Sequence, residues 1–449
     1  MKYRLSNNGE VLSTAESPVR RRDAVRKNSG SVVATLAFGW VLMDALLAYF
    51  LRNYSGSGLQ VNAILPAFIL LLLLANGWRA VVPPATIFLP LVLATMSFAI
   101  APLLVPNIPA YRVIELTGAL CAFAIGYSYM RWTDDANSFA KLTIIVCGAY
   151  VVVCIIALLQ LAPNIFPIIK QAWLYNGDIV DRPYVGINSN FQVFYLFPVV
   201  LALLLPYRTL RFWTVLGLTL GGCFVLARLQ TRSGILVLVG TMLLCFLAPA
   251  WHTRGGRLKA IGVACLLIVI AAVGLAWVLR HNDLLVARFT NTDYRTGYGR
   301  LIGFTYLFEH LFDPSWWSPR GNVEFAARYG GTGGASVVPH SNITAMFLEG
   351  GILGLYMWIV VFAIPLIKLS ASFFKKQLDL LATMALIGGV CMMVIELTLN
   401  VPFYKQPWLW AGAVVGALYR SRTVKLDKRR ATIARGMPSS PGSLLNHKT

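Results

Sequence analysis

Apolar runs of membrane-spanning length recur along almost the whole chain, and this feature constrains the fold more than any other. Runs of about 17–25 apolar residues are long enough to cross a bilayer as helices. Of the 449 residues, 57% are hydrophobic and only 13% are charged, whereas a soluble domain carries about 25% charged residues. The sequence therefore predicts an all-α polytopic membrane protein.

The apolar runs predict about twelve transmembrane helices, with a large loop before the tenth. The predicted spans cover residues 32–51, 63–78, 86–105, 113–130, 142–162, 191–206, 212–228, 234–250, 260–280, 342–367, 379–399 and 405–420. They form a transmembrane domain at 32–420, between a basic leader at 1–31 and a basic tail at 421–449. We expect the leader and most of the tail to lack regular structure, because they are polar and charged.

Lysine and arginine give the chain a formal net charge of +21. These residues concentrate in the two tails and in alternate short loops, as the positive-inside rule requires of cytoplasmic segments. We therefore place both termini in the cytoplasm, and the two long loops at 163–190 and 281–341 on the outer side of the membrane. Orientation and attraction to anionic lipid of the bilayer explain the charge, and we expect no nucleic-acid partner.

Cysteine and histidine spacing gives no sign of a metal centre. The seven cysteines lie in apolar runs without a CxxC pair, and the five histidines show neither HxxxH nor HExxH spacing. Structural and catalytic zinc sites use such spacings. The sequence also lacks a nucleotide-binding motif, so we expect neither a metal nor another cofactor.

The large loop at 281–341 uses arginine and no lysine. Its arginines are Arg288, Arg295, Arg300, Arg320 and Arg328. Because a guanidinium grips two phosphate oxygens at once, an arginine-only loop beside a membrane suggests a diphosphate ligand; surface ion pairs are the alternative, and Arg320 is also a possible glycan contact. Arg228 and Arg232 share a helix face at the outer end of the seventh span, where they either bind the same ligand or anchor the helix at lipid headgroups.

Other candidate residues lie where outer loops meet spans. His340 stands at the start of the tenth span, and imidazole titrates near neutrality, which suits it to accept a proton from a sugar hydroxyl. Asn188 and Asn190 precede the sixth span, where they cap that helix or bind sugar hydroxyls. Trp316 either stacks on a sugar or belongs to a core or an aromatic belt. Glu349, two turns after His340, is expected to form hydrogen bonds between helices.

The order of four motifs resembles the integral-membrane O-antigen ligase and polysaccharide polymerase superfamily. The motifs are RPYVGINSNF, TRSG, GYGRLIGFTYLFEHLFDPSWWSPRG and PHSNITAMFLEGGILG. In that family an Asn-containing motif precedes a span, one arginine ends a later span, another opens a helix of the periplasmic loop, and a histidine begins the next span. This chain departs from the pattern where Ser341 separates His340 from Asn342. Glu396 loosely matches an acidic residue that family members often carry late in the chain.

The resemblance implies a metal-independent glycosyltransferase of the bacterial inner membrane, with a periplasmic active site. It implies that Arg232 and Arg300, with Arg228, bind the diphosphate of an undecaprenyl-diphosphate-linked glycan, and that His340 acts at the acceptor. For a polymerase, which is slightly favoured, the acceptor is another lipid-linked glycan, and a chain-length regulator is an expected partner. For an O-antigen ligase, the acceptor is the lipid A core. The pathway is then lipopolysaccharide or exopolysaccharide biosynthesis.

Two functions of other classes are alternatives. A transporter or flippase of lipid-linked sugars predicts ionisable residues that line a path through several spans. The predicted spans contain few such residues, namely Asp44, Glu115, Glu349 and Glu396, and charge gathers instead at one membrane face. A structural subunit of an export complex predicts no dependence on His340.

Overall fold

The structure is a computed structural model of the chain. It describes residues 30–44, 46–47, 64–105, 108, 111–133, 136–165, 168–175, 178–185, 209–228, 262, 265, 269, 280, 297–329, 339, 341–375, 378–397 and 403–436.

The described residues form helices and one two-stranded sheet. The helices are α1 (Gly30–Asp44), α2 (Leu65–Asn76), α3 (Trp78–Val81), α4 (Ala85–Leu104), α5 (Tyr111–Trp132), α6 (Ala136–Leu158), α7 (Thr209–Arg228), α8 (Gly297–Leu311), α9 (Val323–Tyr329), α10 (Asn342–Phe374), α11 (Leu380–Glu396) and α12 (Lys405–Gly436). The strands are β1 (Ile168–Tyr175) and β2 (Asp178–Val185), and a 3-10 turn (Pro314–Trp316) joins α8 to α9.

Four of the described helices, α4, α5, α6 and α10, are long and apolar enough to cross a membrane. They overlap the predicted spans at 86–105, 113–130, 142–162 and 342–367, and most of their ends lie within a few residues of the predicted ends. They support the prediction of a helical membrane protein. Shorter apolar helices stand at the first, second and eleventh predicted spans. The spans predicted at 191–206 and 234–250 lie outside the described residues.

The loop predicted at 163–190 contains a β-hairpin, whereas the other described elements are helical, as the all-α prediction requires. Strands β1 and β2 pair antiparallel, with Ile168 opposite Val185 and Tyr175 opposite Asp178. The two residues between the strands are Asn176 and Gly177, the dipeptide most favoured in two-residue hairpin turns. The sequence contains this turn signal, but the long apolar runs on either side favoured helices, and the sequence analysis predicted no hairpin.

Helix α12 continues into the basic tail, contrary to the expectation of an irregular segment. The apolar span ends near Arg420, yet the helix extends to Gly436. The stretch after Arg420 is rich in lysine, arginine and alanine, which are strong helix formers. A helix already nucleated in the membrane can be lengthened at little cost, because only the first turn is expensive to form.

Small residues let α5 and α12 approach closely. A methyl group added at Gly126 of α5 would overlap the carbonyl oxygen of Leu409, and one added at Gly412 of α12 would overlap the carbonyl oxygen of Phe123. Gly416 follows Gly412 by one turn, so α12 carries the small-xxx-small pattern that brings helices together in membranes. The backbones of the two helices are therefore in direct contact.

Helix α10 is interrupted at Gly351 by a conformation that only glycine adopts readily. Its φ is 62° and its ψ is −157°, and such a positive φ is costly for a residue with a Cβ. The interruption leaves the carbonyl of Leu348 and the amide of Ile352 without regular intrahelical partners. A neighbouring segment of the outer loop, residues 316–321, reaches these groups, and we call it the strap.

Three backbone hydrogen bonds fix the strap to the interruption of α10. The amides of Arg320 and Gly321 both donate to the carbonyl of Leu348, each at 2.9 Å, and the amide of Ile352 donates to the carbonyl of Trp317 at 2.9 Å. Because buried backbone groups must find partners, the strap completes the hydrogen bonding of α10. The segment between α8 and α9 is thus joined to α10 by hydrogen bonds between backbone groups.

Replacing Gly412 with alanine should destabilise the fold, although alanine is the better helix former. The added methyl group meets the Phe123 carbonyl of the facing helix, and such overpacking costs about 1–3 kcal/mol. Gly217→Ala in α7 is the matched control, since a Cβ added there has no neighbour within 4 Å. Thermal unfolding of the detergent-purified protein should show a lower midpoint for Gly412→Ala only; equal midpoints would contradict direct contact between the backbones.

Replacing Gly351 with alanine should release the strap from α10. The new Cβ would collide with the carbonyl of Trp317 and lie 3.1 Å from the carbonyl carbon of Ser318. Trypsin should then cleave the Arg320–Gly321 bond faster, because both flanking amides lose their acceptor. Cleavage followed by mass spectrometry in the purified protein checks this, with the partly exposed Leu353→Ala in the same helix as control. Unchanged cleavage in Gly351→Ala would show that the strap does not depend on the interruption.

Candidate functional site

The structure describes the predicted site residues to different extents. His340, Arg232, Asn188 and Asn190 lie outside the described residues, so their predicted roles stay predictions. The backbones of two predicted arginines are described, and the side chains of two further candidates are described in full. Arg228 is the last residue of α7 and Arg300 lies in the first turn of α8, whereas Arg320 and Trp316 belong to the strap.

The N-terminal half of α8 packs against the residues that flank His340. A methyl group added at Gly303 of α8 would lie 3.7 Å from Pro339 Cβ, 3.9 Å from Ser341 Cβ and 3.6 Å from Thr344 Oγ1. The Thr344 hydroxyl also donates a hydrogen bond to the Gly303 carbonyl at 3.1 Å. Glycine at 303 therefore allows α8 to lie close to the start of α10.

This contact brings the helix that carries Arg300 beside the segment that contains His340. Arg300 precedes Gly303 by three residues, which is about 4.5 Å along the helix axis. The backbone of Arg300 therefore lies within one helical turn of the point where α8 meets Pro339 and Ser341. Arg300 and His340 are 40 positions apart in the sequence. The packing of α8 against the start of α10 is therefore a tertiary contact.

A buried acid holds the start of α10 against α11. The Asn342 side-chain amide donates to Glu396 Oε1 at 2.8 Å, and the Trp358 indole donates to Glu396 Oε2 at 3.0 Å. Asn342 and Glu396 are both fully buried. Asn342 therefore has a structural partner two residues after His340, which fixes the direction in which the chain enters α10.

Trp316 is part of a small aromatic core and has little exposed surface. Its ring stacks on His310 at 3.9 Å between centroids, meets Tyr306 edge-on at 5.6 Å, and lies 5.3 Å from the Arg320 guanidinium carbon. Only 9% of Trp316 is exposed. Arg320 also donates to the Ser315 carbonyl at 2.6 Å. These contacts attach the strap to the C-terminal half of α8.

Two titratable groups at this aromatic core, Tyr306 and Asp313, keep their charge near neutrality. Burial raises the pKa of Tyr306 to about 12, so its phenol stays protonated. Hydrogen bonds from Ser315 lower the pKa of Asp313, which therefore stays ionised. Neither group is suited to exchange a proton with a sugar hydroxyl at neutral pH, because a general base works best when its pKa lies near the operating pH.

Arg112 is a residue that the sequence analysis missed. It stands at the first turn of α5 and pairs with Glu349 of α10, with Nη2 to Oε1 at 3.3 Å, and with Glu115, with Nη1 to Oε2 at 2.8 Å. Glu349 thus makes the interhelical contacts expected of it. A basic residue at the edge of one apolar run and an acid inside another are the signals that suggest such a pair.

The described parts of the site combine a fixed helix start, a neighbouring helix that carries an arginine, and an outer strap that holds both in place. Such an arrangement can hold a ligand in a defined position, because its backbone elements are fixed by hydrogen bonds.

Comparison with known proteins adds no family to these observations. No family model matches the chain, and no curated protein matches it at a significant level. The function proposed for this chain therefore rests on its own residues and geometry, together with the resemblance of its four motifs.

Proposed function

We propose that this protein is a membrane glycosyltransferase that moves a glycan from undecaprenyl diphosphate to an acceptor hydroxyl at the outer face of the membrane. The observation that carries the proposal is the packing of Gly303 against Pro339, Ser341 and Thr344. This packing puts the arginine-bearing turn of α8 beside the segment that contains the histidine. Arginine beside histidine at the membrane surface supplies what transfer from a lipid diphosphate needs.

The reaction requires that one bond to the anomeric carbon breaks while another forms. In our proposal His340 takes the proton of the acceptor hydroxyl, whose oxygen attacks the anomeric carbon. The bond from that carbon to the diphosphate breaks, and the negative charge that develops on the leaving diphosphate is stabilised by Arg300 and Arg232, with Arg228 nearby. No metal or nucleotide is required in this scheme.

The buried acids favour an enzyme over a transporter. Asp44 pairs with Lys405 at 2.6 Å, and Glu349 and Glu396 have the structural partners already described. A transport path through the membrane needs ionisable groups that face a water-filled cavity. In the described part of the chain, each of these acids is instead engaged by another side chain.

The acceptor distinguishes two activities that use the same chemistry. A polymerase transfers the glycan to a second lipid-linked repeat unit, and a ligase transfers it to the lipid A core. We favour the polymerase slightly, as in the sequence analysis. In either case the proposal places about twelve spans in the bacterial inner membrane, with both termini in the cytoplasm and the loop at 281–341 in the periplasm.

Replacing His340 with alanine should lower glycan transfer by about a hundredfold or more, as expected when a general base is removed. Arg300→Lys should lower it by about tenfold, because lysine keeps the charge but loses the bidentate contact. The matched control is Arg328→Lys: Arg328 pairs with Glu309 at 2.6 Å on the exposed surface, so transfer should change by less than about twofold. Product is measured in cells at matched protein level.

Near-normal transfer in His340→Ala would overturn the assignment of the base. A silent Arg300→Lys together with a damaged His340→Ala would limit Arg300 to a general positive potential. Loss of transfer in Arg328→Lys as well would indicate that the large loop tolerates no arginine replacement, and the comparison would then carry no weight for Arg300.

The large loop should face the periplasm. A cysteine placed at Ser336, in a variant without native cysteines, should react with a membrane-impermeant thiol reagent in whole spheroplasts. A cysteine at Ser372, at the other end of α10, should react only after the cells are permeabilised. Reversed labelling would invert the topology and exclude a periplasmic glycosyltransferase.

A further inference from the structure

The first turn of α10 lacks the side-chain cap that normally closes a helix N-terminus. Ser341 occupies the N-cap position with φ −155° and ψ 124°, but its side chain accepts no hydrogen bond from the helix. The first bond of the helix runs from the Ala345 amide to the Ser341 carbonyl at 3.0 Å. The amides of Ile343 and Thr344 precede that bond and so have no intrahelical acceptor.

The other polar side chains in the first turn of α10 form hydrogen bonds with groups outside that turn. Asn342 donates to Glu396 at 2.8 Å, and the Thr344 hydroxyl donates to the Gly303 carbonyl at 3.1 Å. Both oxygens of Glu396 are engaged, by Asn342 and by Trp358. The helix has no acidic residue in its first turn, so no carboxylate of that turn offsets the positive end of the helix dipole.

The Ser341 hydroxyl provides a second, independent observation at the same place. Ser341 is fully buried, and its Oγ has no hydrogen-bond partner in the part of the chain that the structure describes. A buried hydroxyl without a partner costs free energy, and in native proteins such a group calls for a bound water, ion or ligand. Ser341 Cβ also faces Gly303 of α8, one turn from Arg300.

We infer that the N-terminus of α10, with the Ser341 hydroxyl, binds a phosphate group. A helix N-terminus favours a phosphate through its unpaired amides and its dipole, and a hydroxyl donates to a phosphate oxygen. This inference rests on the proposed function for the identity of the ligand: the phosphate belongs to the diphosphate of the lipid-linked donor. The leaving group would then be held by backbone amides and Ser341, the residue that follows His340 in the sequence, in addition to arginine.

Ser341→Asp separates this role from a structural one. Aspartate is at least as good an N-cap as serine, so the purified full chain should unfold at the same or a higher temperature if the site is only a helix end. A phosphate would be repelled by the new carboxylate, so affinity for farnesyl diphosphate, measured by calorimetry in neutral detergent, should fall by about tenfold or more. Ser341→Ala removes only the hydroxyl and should weaken binding less; it decides the result if the aspartate variant unfolds.

Ala327→Asp, at an exposed position of α9 outside the strap, is the control for added negative charge and should leave binding unchanged. Farnesyl diphosphate binding that is equal in the wild type, Ser341→Asp and Ser341→Ala would overturn the inference. Phosphatidylglycerol is titrated in parallel: an equal, Ser341-dependent affinity for it would overturn the assignment to the donor and assign the phosphate to lipid headgroups. Because binding is measured without an acceptor, Ser341-dependent binding of farnesyl diphosphate would support this site even if the protein transferred no glycan.

Discussion

A peptide group that leaves the helical pattern near a membrane must find another hydrogen-bond partner. The positions of the strap and of α8 depend on how α10 meets that requirement. The interruption at Gly351 leaves the carbonyl of Leu348 and the amide of Ile352 without regular intrahelical partners. Water does not reach these groups in a buried position, so backbone groups of the strap form hydrogen bonds with them instead. The requirement of one helix therefore determines where the outer loop lies.

The strap transmits this constraint to α8. The Trp316 ring stacks on His310, and the Trp317 indole donates to the Leu311 carbonyl at 3.1 Å, so the C-terminal end of α8 is attached to the strap. The N-terminal half of α8 is attached separately, through Gly303 and Thr344. Two attachments to the same partner helix fix both the position and the direction of α8, which a single contact would leave free to tilt. The turn that bears Arg300 is held accordingly.

Buried charge in the described helices mostly serves packing. Arg112 joins α5 to α10 through Glu349, and Lys405 joins α12 to α1 through Asp44. Removing one partner of such a pair leaves an uncompensated charge, which is far more costly than the pair itself is stabilising. Buried polar atoms without a partner among the described residues occur in the first of these pairs too, at Arg112 Nε and Glu349 Oε2, as well as at the Ser341 hydroxyl. Ser341 differs from them because it stands at the uncapped N-terminus of α10, where we propose a bound phosphate.

The sequence alone determined the helices α4, α5, α6 and α10 as membrane-spanning candidates, because the transfer of an apolar run into a bilayer depends on its length and composition and is additive along the chain. It also determined the order of the arginine and histidine motifs. The sequence did not predict the hairpin β1–β2 or the helical extension to Gly436, since turn and tail signals were weaker than the apolar pattern.

Only the tertiary structure decided which of these residues meet. The contact of Gly303 with Ser341, the pairing of Arg112 with Glu349, and the capture of the Leu348 carbonyl by the strap each join residues that are distant in the chain. Such contacts depend on shape and on the hydrogen bonds that packing leaves unmade, and neither quantity is periodic in the sequence. For this reason the candidate residues could be named from their motifs. Their arrangement followed from the packing of α8 against α10, and so did the role proposed for Ser341.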